Sequence, residues 1–274
     1  LAARFAFPGT RQGKTGMLHV RSILFYIGYV IATVFWGTLS CLVAWILPFR
    51  GRFVFVIVYW TRIVLWWLRV TCGITHRISG AEHIPARAGV ALSKHQSTWE
   101  TLFLQSLFVP QTTVLKRELL HIPFFGWAFR LLKPIAIDRG NRSNAYKQLL
   151  SKGKERLAEG AWVVLFPEGT RIPPGKTGTF QRGGAALAVA TECPLLVVAH
   201  NAGLFWPPRR LVKQPGIIDV VISPLIETRG RSADEVNREA RAWLEKTTGR
   251  LEDQTSRLAT ESALVSMKSR RGST

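Results

Sequence analysis

The stretch Ser93-Lys94-His95-Gln96-Ser97-Thr98-Trp99-Glu100 sets an imidazole and a carboxylate five residues apart, between the apolar runs 89–92 and 101–104. The pattern reads as a strand end, a polar turn and a helix start. A histidine that takes a proton and an acid that orients it are the parts of a general base. A five-residue step turns about 500° around an ideal helix, so two helical residues at this spacing share no face. His95 must then lie in the turn and Glu100 in the first helical turn, where the helix dipole favours the ionised acid. An ionised Glu accepting from one imidazole nitrogen leaves the other free to take a proton. The same residues spell Ser97-x-x-Glu100, a capping box in which Ser97 caps the helix and Glu100 reaches back to the cap's N–H. The two readings are compatible.

Further along, Trp162-Val163-Val164-Leu165-Phe166 runs into Pro167-Glu168-Gly169-Thr170-Arg171. Pro stops a strand and Gly permits a tight turn. Arg offers a planar fork for a phosphate, to which backbone N–H groups of the turn can add. The plain alternative is a surface turn with a local Glu-Arg pair. Two more strand-like runs end in charge: Ile135-Ala136-Ile137 before Asp138-Arg139-Gly140, and Val114-Leu115 before Lys116-Arg117-Glu118. Each basic residue alone reads as a solvated side chain. Lys116, Arg139 and Arg171 each follow a candidate strand, however, and so can converge on one anionic group near His95.

The elements that must position these groups follow from the texture after Gly73. Candidate strands are 75–78, 89–93, 112–115, 135–137, 162–166, 195–199 and 217–222, and helical segments fall near 98–108, 124–132, 143–159 and 182–191. This alternation argues for an α/β fold with a mixed, partly parallel sheet flanked by helices. Ser232-Ala-Asp-Glu235 is another capping box and opens a helix to about Lys246, with a polar tail from Gly249. The domain boundaries expected are a polar segment 1–20, a two-helix membrane-anchoring motif 21–72, the α/β domain 73–249 and a tail 250–274. The first 16 residues read as an upstream extension or disordered tail, with Met17 as a natural start.

The anchor is read from Ile23–Leu47, which is 25 residues without a charge. At 1.5 Å per residue that is about 37 Å of helix, enough to cross a bilayer. Pro48-Phe49-Arg50-Gly51-Arg52 breaks it, and a second apolar stretch, 53–70, carries Arg62 near its middle. An arginine there costs about 2.5–3.5 kcal/mol on insertion, so a spanning hairpin and a pair of helices dipping into one leaflet both stay open. In either case the rest of the chain stays on the cytoplasmic side. The formal charge of +20 asks for a polyanionic partner. With 47% hydrophobic residues and 10 Trp, an anionic membrane fits better than nucleic acid. Cys41, Cys72 and Cys193 are scattered, which points away from a disulfide framework or zinc site. Gly13-Lys14-Thr15 and Gly175-Lys176-Thr177 lack a correctly spaced earlier glycine for a phosphate loop, and no Gly-x-Ser-x-Gly elbow occurs.

Five blocks stand in one order: Ser93 to Glu100, Lys116 to Trp127, Ile137 to Gly140, Phe166 to Arg171, and Cys193-Pro194-Leu195-Leu196-Val197-Val198. Together they resemble the glycerolipid acyltransferases over roughly residues 20–225. One departure is plain, since that family's first motif usually ends in Asp where this chain has Glu100. The resemblance implies that His95 is the general base for the sn-2 hydroxyl of a lysophosphatidate, with Glu100 orienting it. It implies that Lys116, Arg139 and Arg171 hold the lipid phosphate, with Glu168 and Gly169 shaping that pocket. The acyl donor would be a thioester of CoA or acyl carrier protein, used as substrate, with no metal or prosthetic cofactor. Backbone N–H groups of the turn after His95 are candidate donors to the thioester oxyanion. Other acceptors, such as a lyso-ornithine lipid or a lysophospholipid with a larger head group, fit the same blocks. A non-enzymatic basic membrane-binding protein would leave them unexplained.

Overall fold

The computed structural model describes residues 12–137 and 142–271. The chain enters through α1 (Gln12–Val43) and a short 3-10 turn, Ala44–Ile46. It turns at Pro48 and returns through α2 (Phe49–Phe53), a π-helical stretch Val54–Tyr59, and α3 (Trp60–Cys72). Pro48 removes a backbone donor, and Arg52 supplies one in its place. Its guanidinium donates to Ala44 O and Leu47 O, both at 3.0 Å, covering carbonyls that the helix end leaves open. Trp36 Nε1 donates to Phe55 O at 2.8 Å across the hairpin, within the π-helical stretch. Both arms are long and apolar enough to cross a membrane, over Gly16–Ile46 and Phe49–Cys72.

The strands are β1 (Ile74–Ser79), β2 (Val90–Ser93), β3 (Gln111–Lys116), β4 (Ile135–Ile137), β5 (Trp162–Leu165), β6 (Leu195–His200) and β7 (Gly216–Ile222). Among the described residues they form one sheet in the order β1-β7-β6-β2-β5-β3-β4. Every neighbouring pair is parallel except β6 and β7. This is the mixed, partly parallel sheet expected from the alternating texture. β2, β5 and β6 are buried along their whole length, which is why their sequences are unbroken apolar runs. Because β2, β3, β4, β5 and β6 share one direction, the residues that follow them emerge along one edge. The octapeptide around His95, the turn around Gly169, Lys116 and His200 are brought to that edge by topology alone.

Helices cover both faces. Along β2 the side chains alternate: Ala91 joins the cluster of Trp99, Phe103, Trp60 and Leu68, whereas Val90 and Leu92 join Leu187, Leu244 and Leu251. The first layer holds α3, α4 (Trp99–Leu107) and α5 (Phe125–Arg130). The second holds α6 (Arg142–Ala158), α7 (Gly183–Thr191) and α9 (Ala233–Arg271), and the single turn α8 (Ala202–Phe205) follows β6. α9 runs well past the Lys246 expected from sequence. Its core stripe of Val236, Ala240 and Leu244 continues to buried Leu251, so packing carries the helix through Gly249 despite a propensity cost of about 1 kcal/mol.

The hairpin is packed on the domain side by side. Ser22 Oγ accepts from the Lys213 N–H at 3.0 Å, and the Phe25 ring meets Trp206 edge-on at 5.3 Å. At Gly37 an added Cβ would lie 2.9 Å from Phe124 O, so glycine is what lets α1 approach the entry to α5. These contacts extend over about 22 Å of α1. The other face leaves Ile23, Ile27, Ile31 and Phe35 exposed.

Candidate active site

His95 lies in the turn after β2, and Glu100 in the first turn of α4. His95 Nδ1 donates to Glu100 Oε1 at 2.8 Å, which fixes the tautomer and leaves Nε2 with its lone pair. The Glu100 side chain is completely buried and the His95 side chain is 14% exposed. The same Glu100 oxygen accepts from the N–H groups of Gln96 (3.0 Å) and Ser97 (2.8 Å), while Ser97 Oγ accepts from Trp99 N–H at 3.1 Å. Capping and orienting are thus one arrangement: the carboxylate that closes the helix start also holds the imidazole. Burial alone would raise the Glu100 carboxyl. The His95 hydrogen bond, the electrostatic pull of the neighbouring His200 and His95 rings and the Ser97 N–H outweigh it, so the group sits below the usual carboxylate range. The N–H groups of Gln96, Ser97 and Trp99 are taken by Glu100 and Ser97 Oγ, so these three are not free to serve a thioester oxyanion, whereas Thr98 of the same turn lines the space in front of His95. A buried carboxylate needs its donors first.

Phe166 stacks on the His95 ring, with centroids 4.2 Å apart and planes at 23°. The turn that follows β5 then folds back. Gly169 adopts φ +67° and its N–H donates to Phe166 O at 2.9 Å, while Ile172 N–H donates to His95 O at 2.8 Å. Nothing lies within 4 Å of a Cβ at Gly169, so conformation rather than space demands glycine. Glu168 points away from the space in front of His95. Its Oε2 accepts from the His95 N–H at 3.0 Å and its Oε1 pairs with Lys94 Nζ, both side chains nearly buried. Glu168 therefore supports the backbone of the turn, where the resemblance had it shaping a phosphate pocket.

A cavity of about 540 Å³ opens in front of His95. His95, Arg171, Thr98 and Phe166 are all part of its lining. Apolar side chains from three sources enclose the remainder: Tyr29 and Val34 of α1, Ile57 and Trp60 of the return arm, and Leu119, Ile122 and Phe129 of the domain. Lys116 ends β3 in register with Ile137 of β4, which places its backbone on the same sheet edge. Arg139 lies outside the described residues.

Two supports were not foreseen from sequence. Lys94 was part of the octapeptide but gave no sign of an ion partner 74 residues away. His200 closes β6 on the active edge. Its Nδ1 accepts from Ala202 N–H at 3.3 Å, so Nε2 carries the proton and donates to Lys94 O at 2.9 Å. That nitrogen also stands 4.0 Å from Glu100 Oε2, an oxygen otherwise without a hydrogen bond. The signal that could have found His200 was its place directly after a buried strand parallel to β2.

An imidazole held by a buried carboxylate and a largely apolar cavity stand together at the carboxyl edge of this sheet, and residues 75–201 match the family model described as Acyltransferase. A 1-acyl-sn-glycerol-3-phosphate acyltransferase of Pseudomonas aeruginosa is 52% identical over 231 residues, covering 83% of this chain and 90% of that protein. The chain belongs to the 1-acyl-sn-glycerol-3-phosphate acyltransferase family. The alpha form of the mouse enzyme, Mus musculus, is 30% identical over 64% of this chain and 63% of its own length. The crystal structure of the 1-acyl-sn-glycerophosphate (LPA) acyltransferase PlsC from Thermotoga maritima has the same fold, with a TM-score of 0.70 at 22% identity, covering 85% of this chain and 96% of that one.

Proposed function

We propose that the protein transfers an acyl group from a thioester of CoA or acyl carrier protein to the sn-2 hydroxyl of 1-acyl-sn-glycerol 3-phosphate, forming phosphatidic acid for phospholipid synthesis. The observation that carries this reading is the His95–Glu100 pair facing a cavity that is apolar over most of its wall and has Arg171 in its lining. The relatives named above support the choice of acceptor. His95 Nε2 takes the hydroxyl proton as the oxygen attacks the thioester carbonyl carbon. The C–S bond then breaks, and the departing thiolate recovers that proton from the imidazolium. The activated hydroxyl is itself the nucleophile, so no acyl-enzyme is formed. The thioester supplies an activated carbon, so the step calls for no metal or prosthetic group. Arg171, with Lys116 and Arg139, holds the phosphate and so aligns the hydroxyl, a positioning worth several kcal/mol of barrier.

The reaction is read as taking place at the bacterial inner membrane, on its cytoplasmic side, a reading supported by the two apolar arms of the hairpin. Of the two arrangements, the helices dipping into one leaflet accords with the fold. α1 is flanked by the domain from Ser22 to Gly37, so a bilayer surrounding it on all sides would also surround the domain. The net formal charge of +20 suits a protein working at anionic head groups.

The test is phosphatidate formation by the detergent-purified protein, given lysophosphatidate with acyl-CoA or acyl carrier protein thioester, beside His95→Ala. Turnover that falls by about 10²-fold or more in the variant is expected. Full turnover in the variant would remove His95 from the mechanism. None in a folded wild type with either donor would remove lysophosphatidate as acceptor.

A further inference from the structure

Behind the turn that carries His95, a carboxylate arrives from the far end of the chain. Glu252 of α9 is 5% exposed. Its Oε1 accepts from Gln96 Nε2, 156 residues away, and its Oε2 accepts from Gly175 N–H at 2.7 Å. Gln96 is held at its other end too, since its Oε1 accepts from Gly203 N–H at 3.4 Å and its own N–H donates to Glu100. The approach is close: an added Cβ at Gly203 would lie 2.9 Å from Gln96 Cβ. A cavity of about 190 Å³, bordered by Lys94, Glu168, Gly175, Thr248 and Glu252, lies behind the same turn.

We infer that Glu252 is a positioning residue for the transfer reaction, holding Gln96 so that the neighbouring His95 keeps its place against Glu100. A buried carboxylate is costly unless it is paired, and burial indeed pushes this one up despite the hydrogen bonds from Gln96 and Gly175. The cost is met at a site where it fixes two loops at once, the turn after β2 and the Pro173–Gly178 segment. A small displacement at a base is enough to matter, since about 1 Å of misplacement can cost about 10²-fold in rate. Glu252 touches neither the cavity in front of His95 nor the reacting atoms, so its removal should act on turnover and leave substrate binding alone.

The inference rests on the proposed acyl transfer, and the experiment separates the two. Phosphatidate formation is measured for the wild type, Glu252→Ala, Glu252→Gln and the exchange Gln96→Glu with Glu252→Gln. In the exchanged pair, the carboxylate at position 96 can accept from Gly203 N–H and from the amide at position 252, whose oxygen accepts from Gly175 N–H. The two single variants should lose about tenfold or more in kcat with KM for both substrates within about threefold, and the exchange should recover most of what Glu252→Gln loses. Wild-type kcat in both single variants, a matching rise in KM, or an exchange no better than Glu252→Gln would each overturn it. Amide hydrogen exchange read on peptides covering 93–98 decides independently of substrate. These amides should exchange faster in Glu252→Ala while β5 and β6 stay protected, and unchanged exchange there would overturn the inference even if lysophosphatidate proved the wrong acceptor.

Discussion

The N–H of His95 donates to Glu168 Oε2 at 3.0 Å, so the backbone of the base hangs on a carboxylate 73 residues later, whose other oxygen is paired with buried Lys94. Removing one member of a buried pair leaves an uncompensated charge, which costs about 3–5 kcal/mol, whereas neutralising both is far milder. Lys94→Met should therefore lower thermal stability more than Lys94→Met combined with Glu168→Gln. Unfolding midpoints in detergent check this, and a double variant as unstable as the single would mean that the pair is not the support described here.

Glu100 serves His95 by charge as well as by position. Glu100→Gln keeps the length but presents an amide to three donors, so activity should fall by about 10²-fold or more. Glu100→Asp keeps the charge at the same helix start and shortens the reach by one methylene, so it should retain more activity than Glu100→Gln. The kcat/KM values of the two variants on lysophosphatidate rank charge against reach, and the reverse order would refute the assignment.

His200 gives the stability a pH dependence with a definite sign. Burial holds its imidazole below the ordinary 6.5, against the pull of Glu100, and burial does the same to His76. As pH falls through 6.5 the unfolded chain binds protons that the folded chain refuses, so stability drops from there down to the folded values. Glu100, depressed below 4.5, adds a second loss as pH falls through its folded value. Glu252 pulls the other way above 4.5, because its folded carboxyl is raised. The difference between wild type and His200→Gln is thus the clean readout. Between about pH 7 and 5 the variant's melting midpoint should fall less steeply than the wild type's, and equal slopes would show that His200 is not buried neutral.

Gly37 is where α1 meets Phe124, a residue that lines the cavity. Gly37→Val must push the helix off that backbone, at about 1–3 kcal/mol of strain, and so loosen the wall. KM for long-chain acyl donors should rise more than KM for short-chain ones. An equal change for all chain lengths would mean that α1 does not bound the acyl-binding space.

The sheet was legible because burial on both faces makes β2, β5 and β6 unbroken apolar runs, and all seven expected strands overlap observed ones in the stretch where the texture changed. The pairing of His95 with Glu100 was legible for a similar reason: it is local, and a five-residue step across a helix start leaves few geometries. Supports that close over long separations were not. Lys94 with Glu168, His200 with Lys94 and Glu252 with Gln96 join residues 74, 106 and 156 positions apart, and each partner alone is an ordinary polar residue. Glu252 was hidden further by Gly249, which suggested the end of a helix that core packing in fact carries onward.

The side-by-side seating of α1 makes the anchor a wall of the reaction chamber, since Tyr29 and Val34 belong both to the membrane arm and to the lining in front of His95. Solubility and substrate capture are therefore not separable by cutting the chain at Gly73. A trimmed catalytic domain would open its own chamber to water on the side that the hairpin closes, and would answer to a different set of substrates.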